Sequence, residues 1–337
     1  MSGIRLSVCI PTYNFGRFIG ETLDSIVRQA TEEVEIVVLD GSSTDNTTEV
    51  VEGYRRTFPR LRYYRQDFKG GIDRDMAKSV ELARGEYCWL FSADDVMSEG
   101  ALERILRKIQ NGKDLYLCGF TRCTIDMKPF ARHPILVFPV DTEFDLGSMS
   151  DRQAYFSGAL TTTAFFSYMS SLVVRKDRWE SAGADESFVG SCWGHAARIF
   201  RMIPDGLNVG FLPEDYLLNR GGNDSFMETG LVNRIAIAVD GYHRLGEVYF
   251  GKDSVEAYNM RRVLKNEYTM SYLLYAKHLT CRGGDKGELE RLDSLVDKLY
   301  TDRSPTDRLR HAVYRLLPVF LLHVVAAASR RLRSLTR

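Results

Sequence analysis

Four times between residues 4 and 109, a short apolar run gives way to a stretch whose apolar residues recur at helical spacing. The runs are residues 4–10, 34–39, 61–65 and 87–91. The periodic stretches gather Phe18, Ile19, Leu23 and Ile26; Val50, Val51 and Tyr54; Met76, Val80 and Ala83; and Leu102, Ile105, Leu106 and Ile109. Unbroken apolar runs of that length suit strands buried on both faces, and their alternation with helices implies right-handed crossovers. The pattern predicts an α/β fold built on a mostly parallel, Rossmann-like sheet flanked by helices. The punctuation is consistent with this. Pro11 should stop the first strand, Asp73 is placed to cap the third helix, Gly85 suits the left-handed residue that ends it, and the fourth helix should start at Ser98.

A parallel sheet opens its loops beyond the carboxyl ends of its strands, where ligands of such folds bind. Three of these loops are polar: Pro11-Thr12-Tyr13-Asn14, Asp40-Gly41-Ser42-Ser43-Thr44-Asp45 and Ser92-Ala93-Asp94-Asp95. Two adjacent carboxylates at a sheet edge are costly to leave unpaired and should face a cation or a polar ligand. The plainer alternative is a pair of acids at a helix N-terminus. A divalent cation shared with a diphosphate suits hard carboxylate oxygens. Asp40 could accept from a base or ribose, or simply form the turn after its strand. Thr12 and Asn14 likewise serve a ligand or the turn itself. Neither G-x-G-x-x-G nor G-x-x-x-x-G-K-[ST] follows any strand, which argues against a nicotinamide dehydrogenase and a P-loop NTPase. The formal net charge is zero, so no global field draws in nucleic acid.

Past residue 113 the alternation stops. Residues 115–120, 135–140 and 165–174 read as strands, with a helix near Ala154, and from 227 onward the chain reads as helices over 228–250, 254–280, 285–301 and 306–317. The six cysteines show no C-x-x-C spacing and mostly sit in apolar runs, as expected of reduced thiols in a cytoplasmic protein. The N-terminus enters a strand directly, with no signal-peptide pattern. Residues 303–337 hold eight arginines against one acid, Asp307, around a thirteen-residue apolar stretch at 316–328. That stretch is too short to span a bilayer core of about 30 Å. It fits an interfacial helix on an anionic membrane surface, or a helix docked on the protein or on another subunit.

The ordered set Ser7-Val8-Cys9-Ile10-Pro11-Thr12-Tyr13-Asn14, Glu35-Ile36-Val37-Val38-Leu39-Asp40-Gly41-Ser42-Ser43-Thr44-Asp45 and Phe91-Ser92-Ala93-Asp94-Asp95 resembles the family 2 glycosyltransferases of GT-A fold. Within that family, Gly70-Gly71-Ile72-Asp73-Arg74-Asp75-Met76-Ala77-Lys78 and Cys88-Trp89-Leu90-Phe91 are most similar to the abequosyltransferase-type enzymes of O-antigen assembly. The resemblance implies a GT-A domain over 1–226, with a nucleotide-sugar half (1–113) and an acceptor-side half (114–226). A helical region (227–303) and a basic arm (304–337) would follow. It implies a nucleoside-diphosphate sugar held by Pro11, Thr12, Tyr13, Asn14, Asp40, Ser42, Asp73 and Arg74. Mg²⁺ or Mn²⁺ would bridge Asp95 and the diphosphate, and Asp94 would contact ribose or sugar. Many relatives carry an acid where this chain has Ser92, which shifts the metal's weight onto Asp95.

On the acceptor side the family places an acidic base, but the matching stretch, Gly190-Ser191-Cys192-Trp193-Gly194-His195, has none. His195 is the candidate base, with a core histidine as the plain alternative and Asp185 and Glu186 as competitors. In a retaining reaction His195 would instead bind acceptor. Trp193 and Trp179 could stack on sugar or pack in the core. Asn223, in a polar loop from Arg220 to Ser225, could close over the diphosphate or form a simple turn. The implied reaction moves a sugar, such as a CDP-activated 3,6-dideoxyhexose, to a polyprenyl-diphosphate-linked glycan at the inner face of the cytoplasmic membrane. A UDP- or dTDP-hexose donor, a binding protein without catalysis, and a homo-oligomer stay open.

Overall fold

The computed structural model describes residues 3–302 and 304–317. They separate into two units, one through Asn223 and one from Asp224. The first is organised by a ten-stranded sheet: β1 Leu6–Thr12, β2 Val34–Asp40, β3 Leu61–Arg65, β4 Tyr87–Leu90, β5 Val96–Met97, β6 Leu115–Cys123, β7 Pro129–Arg132, β8 Thr142–Asp145, β9 Leu172–Arg175 and β10 Asn208–Arg220. The order is β3-β2-β1-β4-β9-β6-β10-β5, with β7 beside β6 and β8 beside β10. β1 to β4 pair in parallel. β9 lies antiparallel between β4 and β6, and β10 pairs in parallel with β6. The sheet is therefore mostly parallel and carries one reversed strand at its centre.

The apolar runs give their strands fully buried side chains: β1, β2 and β4 are buried at every position. The helices Ile19–Val27, Thr47–Thr57, Ile72–Leu82 and Ala101–Lys108 follow in alternation and present the predicted apolar faces to the sheet. Trp89 is fully buried, and its indole N–H donates to the Ser170 carbonyl at 2.8 Å, so burying this large ring leaves no unpaired donor.

Several boundaries differ from expectation. Pro11 lies inside β1 rather than ending it. Cys9 O accepts from Phe91 N, so alternate residues of β1 face β4, and at Pro11 that strand has already ended. The missing N–H therefore costs no ladder bond. Asp73 does not cap its own helix: it lies in the first turn, and Gly71 precedes the helix at φ 85°. Gly85 is not left-handed. Its N–H donates to Ser7 Oγ at 2.8 Å, and a Cβ there would stand 2.7 Å from the Ser7 backbone nitrogen. The fourth helix starts at Ala101 rather than Ser98, after the left-handed Gly100.

Residues 135–140 form only a single bridge, Leu136 to Ala159. Of residues 165–174 only 172–174 are strand, within β9; the stretch before them holds the 3₁₀ turns Thr162–Phe165 and Met169–Ser171, with Phe166 at φ 61°. β10 and the helices Lys176–Ala182 and Gly194–Met202 were not anticipated.

The second unit is helical: Leu231–Phe250, Val255–Glu267, Met270–Gly283, Lys286–Leu299 and Pro305–Leu316. The single helix expected over 254–280 is two, because Thr269 caps a new start, accepting from Tyr272 N. The arm beyond Leu317 lies outside the described residues. Among those described, no helix is long and apolar enough to cross a membrane.

Replacing Gly85 by alanine should lower stability by about 1–3 kcal/mol, because a backbone neighbour cannot yield as a side chain would. Urea denaturation would show it as an earlier midpoint with an unchanged slope.

Candidate functional site

The tips of β1, β2 and β4 meet along one rim, and hydrogen bonds lace their loops together. Gly41 N donates to Thr12 O at 2.9 Å. Asn14, at φ 58°, donates its N–H to Ser43 Oγ at 2.9 Å and accepts from Thr44 N at 2.7 Å. Asp45 accepts from the Thr47 hydroxyl, Thr47 N and Gly16 N. Burial would raise its carboxyl, but these bonds hold it below its ordinary value. Asn14 thus serves the turn, while Thr12 keeps a buried hydroxyl with no partner.

Asp40 is fully buried. Its Oδ1 accepts from Ser43 N at 2.7 Å and its Oδ2 from Tyr63 Oη at 2.6 Å. Both oxygens are thus engaged within the chain. Pro11 is buried in β1, Ser42 sits half-buried at φ 70°, and the Lys69 ammonium stands over the Tyr13 ring, 3.9 Å from its centre.

The aspartate doublet divides its work. Asp95 is 1 % exposed, and its carboxylate accepts four hydrogen bonds. Oδ2 takes the Tyr168 hydroxyl at 2.5 Å and Ser170 Oγ at 2.6 Å; Oδ1 takes Arg220 N at 3.0 Å and Asn219 Nδ2 at 3.2 Å. A carboxylate has about four lone-pair sites, so none is left for a cation. Burial, and then the neighbouring Asp94 charge, push the Asp95 carboxyl up to about 7. The expected metal role of Asp95 does not fit this geometry.

Asp94 accepts only from Ser92 Oγ and from Asn223 Nδ2, the latter at 2.8 Å, and so retains two acceptor sites. Among the described residues no group of three His, Cys, Asp or Glu side chains could hold a metal alone. A cation shared with a diphosphate needs only one or two carboxylates from the protein, and Asp94 supplies such an oxygen.

Arg220 locks the doublet from behind. Its Nε donates to Asp94 O at 2.8 Å, its NH1 to Ile125 O at 2.6 Å, and its NH2 pairs with Glu21. The guanidinium also stacks on Phe18. Arg220 is therefore a buried strand end rather than part of a loop. Tyr168, Ser170 and Asn219 were missed in the sequence and Arg220 was read as a loop residue, although the last part of β10, Tyr216-Leu217-Leu218 and then Asn219-Arg220, shows the signal of the other strands: an apolar run ending on polar residues.

The acceptor-side candidates gather around a cavity of about 470 Å³ lined by Asp73, Arg74, Trp179, Asp185, Glu186, Gly194, His195 and Arg198, among others. Arg74 is exposed on its wall. Asp73 lines the cavity, but its carboxylate is engaged by the chain itself, accepting from Gly190 N at 2.8 Å, Cys192 N at 2.9 Å and Gly194 N at 2.9 Å. The carboxylate thus tethers the loop that leads into the helix Gly194–Met202. His195 is buried, with Nε2 unpartnered. Burial lowers its pKa, against the pull of the Asp73 charge and of the Ser167 and Phe166 backbone, so the ring is neutral. Asp185 is taken up by capping Ser187 N at 3.0 Å and Ser187 Oγ at 2.7 Å. Trp193 is buried and is not among the residues lining the cavity. Trp179 does line it, stacked under Arg198.

A sheet of this topology with an aspartate doublet at its rim matches a known class. The family model "Glycosyl transferase family 2" covers residues 7–174, and the chain belongs to that family, as a glycosyltransferase of GT-A fold. Abequosyltransferase RfbV of Salmonella typhimurium is 31 % identical over 284 residues, 82 % of this chain and 84 % of that protein. The GalNAc(5)-diNAcBac-PP-undecaprenol beta-1,3-glucosyltransferase of Campylobacter jejuni is 27 % identical over 56 % of this chain and 57 % of its own. The crystal structure of S. aureus TarS 1-349 in complex with UDP-GlcNAc superposes with a TM-score of 0.65 at 17 % identity, over 97 % of this chain and 92 % of that one.

Asp95→Ala should strand several buried donors and cost more than about 3 kcal/mol, whereas Asp94→Asn should cost less than about 1 kcal/mol. Equal losses in urea denaturation would contradict the division of roles between the two.

Proposed function

We propose that this glycosyltransferase moves a sugar from a nucleoside-diphosphate donor, a CDP-activated 3,6-dideoxyhexose such as abequose, to a hydroxyl of a lipid-linked glycan in surface polysaccharide assembly. The observation that carries the reading is the rim itself. Three strand tips converge there, and Asp94 is the carboxylate of the doublet with acceptor capacity to spare. The similarity to an abequosyltransferase along most of both chains supports the donor, and the relative named for an undecaprenol diphosphate supports the acceptor.

In this reading Asp94 would supply the protein oxygen for Mg²⁺ or Mn²⁺, and such a cation would offset charge on the diphosphate leaving group. A relative of known structure, a mannosyltransferase from Pyrobaculum calidifontis, is described with GDP-Man and Mn2+ at a TM-score of 0.54. Asn223 and Ser92 orient Asp94. His195 takes the acceptor proton at Nε2, its ring held by the Phe166–Ser167 backbone and kept neutral by burial. Arg74, on the cavity wall, faces the anionic substrates. The arm lies against the cytoplasmic face of the membrane. Leu309, Val313 and Leu316, spaced on one face of the helix Pro305–Leu316, are 66 %, 39 % and 79 % exposed, and the arginines that follow suit anionic lipid.

Purified protein given Mn²⁺, donor and a polyprenyl-diphosphate glycan should release CDP only when acceptor is present, and EDTA should stop it. Nucleotide binding with no turnover would refute catalysis. His195→Ala should lower kcat by about 10²–10⁴-fold. Because His195 is held below 6.5, its ordinary value, the neutral base persists into acid and the acidic limb of kcat/KM should fall below that pH. In flotation with anionic liposomes, the full chain should rise with the vesicles and a Leu309→Glu, Leu316→Glu double variant should not. Unchanged flotation would remove the membrane role.

A further inference from the structure

Asp75 is the one carboxylate at the β1–β2 tips that the sequence reading did not use. It lies on the helix Ile72–Leu82, is 5 % exposed, and points at Gly41, the residue that follows β2. Its Oδ1 accepts from Gln66 Nε2 at 2.6 Å. No side chain donates to Oδ2, which stands 3.0 Å from where a Cβ at position 41 would sit; Thr12 O is 3.6 Å from the same point. Thr12 Oγ1 is buried and unpartnered. An ionised carboxylate oxygen to which no side chain donates keeps acceptor capacity that a ligand N–H can fill. Burial raises the Asp75 carboxyl above its ordinary value and the nearby Asp40 charge adds to this, while Gln66, the Gly71 N–H and Lys69 act in the opposite direction. Nearby, the Tyr13 ring under the Lys69 ammonium offers a flat face for a planar group.

We propose that Asp75 selects the base of the donor nucleotide, its Oδ2 accepting a hydrogen bond from the exocyclic amine of cytosine. This rests on the CDP-sugar reading above. An ionised carboxylate only accepts, and cytosine presents an amine where uracil presents a carbonyl. Uracil would set two acceptors against each other and leave Oδ2 unpaired, whereas cytosine supplies the missing donor. Asp40 is already held by Ser43 and Tyr63, one donor on each oxygen, whereas no side chain donates to Asp75 Oδ2.

The test compares CDP, UDP and 2-pyrimidinone riboside diphosphate, which lacks the amine, by calorimetric titration of the full chain with Mn²⁺. CDP should bind roughly 10- to 100-fold more tightly than either of the others. Asp75→Asn, whose amide can donate, should narrow or invert the CDP-to-UDP ratio while the ligand-free melting curve stays near wild type. Equal affinity for CDP and the amine-free analogue overturns the proposal whatever the variant does, as does an unchanged ratio in a folded Asp75→Asn. Both results leave the glycosyltransferase reading standing. Binding of GDP in preference to every pyrimidine nucleotide would overturn base selection and the CDP donor together.

Discussion

The closed set of donors around Asp95 is the constraint on which the site depends. One carboxylate joins the end of β4, the 3₁₀ turn before β9 and the end of β10, which are distant in sequence and adjacent in the sheet. Ser170 extends the link, receiving Ser92 N while donating to Asp95, and Thr22 bonds the Asp95 carbonyl. A buried charge survives only when its acceptor capacity is met. Asp95 meets that condition with four donors, and this fixes the position of Asp94 beside it. The doublet therefore comprises a structural acid and an accessible one.

That division explains what could be read from sequence and what could not. The rim was legible because each part is local: an apolar run, then a polar step, repeated at Thr12, Asp40 and Asp94. The ownership of Asp95 was not, since Tyr168 lies 73 residues away and Arg220 lies 125 away, and no spacing rule reaches so far. Residues 165–174 misled for another reason. Phe165 and Phe166 are apolar and buried, but they are buried in a turn, where apolarity carries no period. Pro11 misled because the rule that proline ends a strand assumes a neighbour on both sides.

The surroundings of His195 follow a different logic. Where the family would place an acid, the chain has a loop gathered around Asp73, with a neutral imidazole one residue beyond its last tether. Desolvation that would be costly for a carboxylate instead keeps a histidine uncharged with a nitrogen free. Burial thus acts in opposite senses at the two places: at the rim it forces Asp95 into a fully bonded state, and around the cavity it keeps His195 neutral.

The three backbone tethers on Asp73 have a mechanical consequence. Asp73 rides on the same first helical turn as Arg74 and Asp75, so that turn and the segment 190–194 move as one piece. Any shift of that turn is passed through the Asp73 carboxylate to the backbone that opens the helix carrying His195.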